Sequence, residues 1–258
     1  MRRQRLFRVL RALARGLVFT TVLLLALVAV ALAVAETDWG KDHLRTFLVR
    51  QANRYLTVTL EIGRLDGSLV NGLELEDVRL SRDGETIISI DDVALNYNLR
   101  ELFQPDVTVQ RILLVRPRVI VARIADGRWN FGALMRPQPV TAEPSRPDRP
   151  IHLLSVEVID GDVWLRDPVT LGAAHVPSRF NALSLALAFR REPSSWRLGI
   201  ARASWSGVPP DLTMSRLSGS LGHGPDGWTF ADMAVQTPQS DFVVDGRINT
   251  GTSPTTIG

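Results

Sequence analysis

The chain has 258 residues, 45% of them apolar and 22% charged, which excludes a disordered or collagen-like polymer. Its net charge of +3 comes from six arginines that precede the first acid, Glu36. Beyond them 24 basic residues face 27 acidic ones, so the rest of the chain lacks the basic excess needed to track a nucleic-acid backbone, and no nucleic-acid partner is expected; the absence of cysteine excludes disulfide and thiolate chemistry.

Residues 1–15 form a basic tail, and the next 20, Gly16 to Ala35, carry no charge. At about 1.5 Å per residue a helix of that length spans about 30 Å of hydrocarbon. Arg2, Arg3, Arg5, Arg8, Arg11 and Arg15 before it, against Glu36 and Asp38 after it, orient it with a cytoplasmic amino terminus and the remainder outside. Ala33-Val34-Ala35 also forms an A-x-A cleavage site, so a processed signal peptide is the competing reading. The expected location is the inner membrane of a two-membrane bacterium, with a single span and the rest of the chain periplasmic.

Residues 36–55 follow as an amphipathic helix. Leu44, Phe47, Leu48, Ala52 and Tyr55 recur at helical spacing over Asp38 to Tyr55, with Thr37 or Asp38 as the cap. From Leu56 the period changes to two, with Leu56, Val58, Leu60 and Ile62 alternating with Thr57, Thr59 and Glu61. Over residues 56–136 further strands are expected at Leu73 to Leu80, Ile87 to Tyr97, Val107 to Leu114 and Pro117 to Ile124. Turns at Asn71-Gly72, Asp83-Gly84, Gln104-Pro105 and Asp126-Gly127 make them consecutive antiparallel neighbours.

An internal repeat runs through these strands. Leu75-Glu76-Asp77-Val78-Arg79-Leu80 and Ile90-Asp91-Asp92-Val93-Ala94-Leu95 share one order, and Val109 to Leu114 keeps its shape. Two residues separate apolar positions that alternation would place one apart, the spacing a β-bulge produces. Val78, Val93 and Ile112 are therefore expected on the same face as Leu80, Leu95 and Leu114. Looser copies lie at Ile159 to Leu165 and Phe230 to Val235. Residues 137–150, with five prolines, read as a loop or linker, and residues 151–258 as a second β segment. There Leu183, Leu185, Leu187 and Phe189 alternate with Ala and Ser. The chain stops straight after a strand with no closing element, which reads as a truncated carboxy terminus. The fold class is thus mainly β: a membrane helix and an amphipathic helix, then an elongated, curved antiparallel sheet forming an open groove.

Enzyme signatures are poor. His43, His152, His175 and His223 are isolated. Gly222, Gly224 and Gly227 match G-x-G-x-x-G, but Pro225 interrupts the match and a strand-like Trp228-Thr229-Phe230 follows, so a hairpin turn is expected. No catalytic, cofactor-binding or metal-ligating residue is assigned, and no cofactor is expected.

The amino-terminal 135 residues resemble the AsmA-like superfamily, closest to its TamB branch. The resemblance rests on Leu60-Glu61-Ile62, Leu65-Asp66-Gly67-Ser68-Leu69, Gly72-Leu73-Glu74-Leu75-Glu76-Asp77-Val78 and Asp91-Asp92-Val93. Tyr97 to Phe103, Arg111-Ile112 with Pro117, and Asp126-Gly127-Arg128-Trp129-Asn130 extend it. It implies a long curved sheet with an apolar inside, bridging two membranes and serving phospholipid transport or outer-membrane protein assembly. The family's carboxy-terminal domain, which engages an outer-membrane β-barrel assembly protein, is missing from the sequence. The residues agree on mechanism, since an uncovered apolar sheet face holds phospholipid acyl chains without catalysis. The groove candidates are Leu183, Leu185, Leu187, Phe189, Val78, Leu80, Val93, Leu95, Ile112 and Leu114. A periplasmic protein-binding or secretion scaffold needs the same face and stays open, and an anchored hydrolase is the third reading.

Overall fold

The computed structural model describes residues 37–68, 71–98, 106–136, 149–171 and 174–249. The basic tail, the Gly16 to Ala35 segment with its A-x-A site, most of the Pro-rich stretch and the residues from 250 onward lie outside them. Among the described residues no helix is long and apolar enough to cross a membrane. Backbone contacts divide the chain into residues 1–44 and 45–258.

The division falls within helix α1, Asp38–Tyr55, which has the bounds its periodicity predicts. Thr37 is the cap: its Oγ1 accepts from Gly40 N at 3.1 Å, satisfying one of the free amides of the first turn. In the second unit the helix meets the sheet differently from the expected apolar stripe. Phe47 and Tyr55 are 59% and 49% exposed. The residues that reach the sheet are Arg45, Val49 and Asn53, one turn apart on one line. Val49 packs on Ile62, Val78 and Val93. Arg45 Nη1 donates to Ile62 O at 2.7 Å; Asn53 Oδ1 accepts from Leu60 N at 2.7 Å, while its Nδ2 donates to Leu60 O at 3.2 Å. The helix lies along the edge of the first strand, and an edge offers unpaired backbone groups that polar side chains satisfy better than apolar ones.

A 12-stranded mixed sheet carries the rest. Strands β1 (Thr59–Ser68), β2 (Gly72–Arg82) and β3 (Glu85–Asn96) form an antiparallel meander. The β2–β3 turn is a two-residue loop, Asp83 and Gly84, both left-handed at φ 51° and 83°, the type I′ geometry expected of Asp-Gly.

The next region corrects the purely antiparallel expectation. Instead of two hairpin strands, β4 (Val107–Val109), β5 (Arg111–Val115) and β6 (Arg118–Val121) are three pieces of one line. Both β5 and β6 pair antiparallel with β3, and all three pieces pair parallel with β7 (Ile151–Leu165). Pro117 offers no N–H and Arg116 before it is left-handed at φ 47°, which breaks the line without turning it. The parallel seam is possible because the chain between Val121 and Ile151 returns to its starting end, the long crossover that parallel strands require. The strands before and after residues 137–150 thus belong to one sheet.

Beyond β7 the sheet continues antiparallel through β10 (Arg179–Glu192), β11 (Ser195–Val208), β12 (Met214–Gly224), β13 (Gly227–Gln236) and β14 (Asp241–Asn249). A small separate hairpin, β8 (Thr170–Leu171) with β9 (Ala174–His175), interrupts the connection to β10. Gly224 and Gly227 flank the Pro225-Asp226 turn of the β12–β13 hairpin, so the G-x-G-x-x-G match is a turn.

Candidate functional site

Paired neighbours in a sheet point their side chains to the same side, so the register alone traces which residues share a face. Starting at the covered edge, Leu65 pairs with Leu75, Leu75 with Val93 and Val93 with Leu114. Across the parallel seam Leu114 meets Val158, which pairs with Leu185. From there the line runs through Ala203 and Leu217 to Val235 and Phe242. One apolar residue from each of ten strands stands in a single row. Nine steps of about 4.8 Å give it a length of about 43 Å.

A second row lies beside it: Leu73, Leu95, Ile112, Val156, Leu187 and Ile200, ending at Gly219. Phe189 extends the same face through Leu198, Leu221 and Phe230. At its far end Trp196 and Trp228 meet edge to face at 5.5 Å, with the His223 ring 4.8 Å from Trp228. Val78 pairs with both Ile62 and Ile90, and Leu80 with Leu60 and Ile88. Leu183 stands opposite Gly161, where an added Cβ would come within 3.1 Å of Pro117 and 3.5 Å of the Leu183 Cβ. The structure therefore brings all ten residues singled out from the sequence onto one face.

Strand kinks keep the face continuous. Asp77, Asp160, Ala182 and Asp232 sit inside strands with left-handed backbones, at φ between 52° and 56°. Asp77 stands between Leu75 and Val78, which both pack in the cluster around Ile62. Asp160 and Asp232 accompany one-residue register shifts in β7 and β13. In the second repeat copy Ile90 and Val93 also share the cluster, but neither Asp91 nor Asp92 is left-handed. The spacing rule thus holds there without that backbone device.

Covering of the face is uneven. Near β1 to β3, Val49 of the helix lies on Ile62, Val78 and Val93, each no more than 7% exposed. From β10 to β14 the only apolar side chain with less than 9% exposure among the described residues is Ala203. Phe242, Val243, Val244 and Ile248 of β14 are 46–67% exposed. Trp205, on the same strand side as Ala203, has a buried indole N–H without a hydrogen-bond partner. A sheet face of this length would ordinarily be closed by a second layer.

The opposite face at the seam is charged. Arg111 bonds Glu157 through two parallel hydrogen bonds, Arg116 Nε donates to Asp91 Oδ2 at 2.6 Å, and Arg166 bonds Glu85. The arginine hydrogen bonds hold the carboxyls of Glu157, Asp91 and Glu85 below their ordinary range. These ion pairs are exposed and lie between strands, not in a cleft. No group of three His, Asp or Glu side chains among the described residues is placed to hold a metal ion.

Sequence reading did not single out the row members Leu65, Leu73, Leu75, Val156, Val158, Ile200, Ala203, Leu217, Val235 and Phe242. Those in β10 to β14 could have been counted from the short hairpin connections, two to five residues long, and the bulges. Those beyond the seam could not, because no turn fixes a parallel register. Compared with known proteins, the chain matches no protein-family model and no curated protein.

Proposed function

We propose that this chain is an inner-membrane-anchored periplasmic groove protein whose apolar face carries phospholipid acyl chains, in the service of outer-membrane biogenesis. The observation that supports it is the ten-residue apolar row, which no described residue covers with a second layer from β10 to β14. Each CH₂ taken from water onto such a face contributes about 0.8 kcal/mol, so a chain is held by area alone and slides along a row that has no polar interruption. At about 43 Å the row exceeds the reach of one leaflet's acyl chains, about half of a 30 Å hydrocarbon core, so it accommodates movement as well as binding. The AsmA-like resemblance and the uncharged Gly16 to Ala35 segment supply the location in this reading, with the amino terminus cytoplasmic. Transfer of this kind uses no catalytic residue.

The test is photo-crosslinking in cells from a reactive side chain placed at Leu187, on the face, and separately at Arg202, on the opposite side. Phospholipid adducts from position 187 and none from position 202 are expected, with phospholipid recovered by mass spectrometry from the purified chain. Adducts to polypeptide alone would overturn lipid transfer in favour of a protein-binding scaffold.

A further inference from the structure

A separate feature lies on the back of the sheet, away from the apolar rows. A cavity of about 650 Å³ opens over β7 and β10 to β14, within the range of small-ligand sites. Strand alternation puts its side chains on the face opposite Phe189 and Trp196. Its floor has almost no side chains: Ala188 pairs with Gly199, and Gly222 lies one row over, next to Arg197. A Cβ built on Gly199 would meet nothing within 4 Å, so the space above it is open.

Arginines from three strands surround this floor. Arg190 of β10 pairs directly with Arg197 of β11, and the same row continues through Gly222 and Thr229 to Arg247 of β14. Like charges directly opposite one another destabilise a sheet unless an anion lies between them. None of the three guanidinium groups makes an ion pair or hydrogen bond with another described residue. Two acids also line the cavity, and one of them, Glu192, is engaged by His152 at 3.1 Å. The other, Asp226, lies in the β12–β13 turn. Arg197 and Arg247 are three strand spacings apart, about 14 Å, close enough for both guanidinium groups to reach one anion lying between them, beside the Thr229 hydroxyl that stands over Gly222.

We propose that this cavity is a binding site for a phosphate monoester, its dianion held among Arg190, Arg197 and Arg247 and its organic body lying over the Ala188–Gly199 floor. Guanidinium forks match phosphate oxygens two at a time, and more than one fork favours a dianion over a single carboxylate. The volume exceeds that of a phosphate group alone, which leaves room for the ester's body. Such an ester has two sources, a soluble metabolite or a phosphatidic-acid headgroup, and both present the same dianion.

The experiment is calorimetric titration of the full-length chain in a neutral detergent with phenyl phosphate and, separately, with short-chain phosphatidic acid below its micelle concentration. Binding is expected, weakened at least about tenfold by Arg197→Gln. Gly199→Val should weaken it as much while leaving every charge in place, because a strand accepts valine and the side chain fills the floor. Arg216→Gln, which removes the same charge outside the cavity, should leave affinity unchanged. Tight binding of phenyl phosphate assigns a soluble ester, and binding of phosphatidic acid alone assigns the headgroup. The proposal fails if neither probe binds, or if Arg216→Gln weakens binding as much as Arg197→Gln and Gly199→Val.

Discussion

Arg111 Nε and Nη2 donate side by side to the two carboxylate oxygens of Glu157, each at 3.0 Å, and so tie β5 to β7 across the one parallel seam of the sheet. Two parallel bonds fix position along the strand as well as separation. Because the Arg111 side chain is exposed and that of Glu157 partly so, the expected effect on stability is small and dependent on salt. Glu157→Gln should lower the thermal midpoint slightly at low ionic strength, with the difference closing at high salt. A salt-independent loss would mean that the pair acts through packing.

The same bond sets a direction for pH dependence. Hydrogen bonds from arginine lower the carboxyl pKa of Glu157, Asp91 and Glu85 in the folded chain. A lowered folded pKa gives stability that is present above the unfolded value, about 3.9 for Asp and 4.3 for Glu, and is lost as pH falls through the folded one. Chemical denaturation followed from pH 7 downward should therefore show these contributions intact until about pH 5 and declining below it. In a chain carrying Asp91→Asn and Glu157→Gln the acid-side decline should be shallower.

Backbone strain makes a third prediction. Asp160 is left-handed at φ 56° in the middle of β7, a conformation that costs a β-branched residue about 1–2 kcal/mol. Asp160→Val should be destabilising by that order, despite valine's preference for strands, whereas Asp160→Gly should be neutral or slightly stabilising. Equal losses in both variants, measured by urea unfolding, would show that the Asp side chain matters more than the backbone.

Asn53 satisfies both backbone groups of Leu60 on the outer edge of β1. Asn53→Leu keeps the forked shape of the side chain and raises helix propensity but strips those bonds, with an expected net cost of about 1 kcal/mol. It should also expose an edge to pairing with other chains, so concentration-dependent association in light scattering is expected alongside the lower stability.

The unevenly covered face predicts a contrast between two like substitutions. Val93 lies under the helix-covered cluster and Leu185 on the uncovered stretch, in the same row. Val93→Asp should cost several kcal/mol and unfold the region, because its carboxylate has no route to water. Leu185→Asp should leave the chain folded by circular dichroism while abolishing lipid recovery. If Leu185→Asp unfolds the protein as Val93→Asp does, the face is an ordinary core.

The local elements were legible because their signals are local. Helix α1 follows its 3.6-residue period and its Thr37 cap, and Asp83-Gly84 and Pro225-Asp226 form the turns their residues demand. The alternation at Leu183, Leu185, Leu187 and Phe189 marked one face of β10. The orientation of β7 was hidden, because Val156 and Val158 alternate identically in a parallel and an antiparallel strand. Arg45 and Asn53 were hidden too, since polar residues on a helix read as solvent-facing until an unpaired strand edge lies beneath them. The back-face arginines are scattered over the sequence at positions 190, 197 and 247, and only the register makes them neighbours.

The seam also bears on how the sheet assembles in time. Every pair across it joins residues 44 apart in the chain, as with Ile112 and Val156, while the hairpins on either side close through loops as short as two residues. Closing the longer loop costs on the order of 3 kcal/mol more in chain entropy. The two hairpin blocks can thus nucleate independently, and the strands between them are the last to zip together and the first to part. Native-state hydrogen exchange should record this as a plane of early opening along β5 and β7, with slower amides in β2 and β11 on its two flanks. A face that is continuous in space would then be discontinuous in cooperativity, parting along one fixed line into two panels that each keep their own fold.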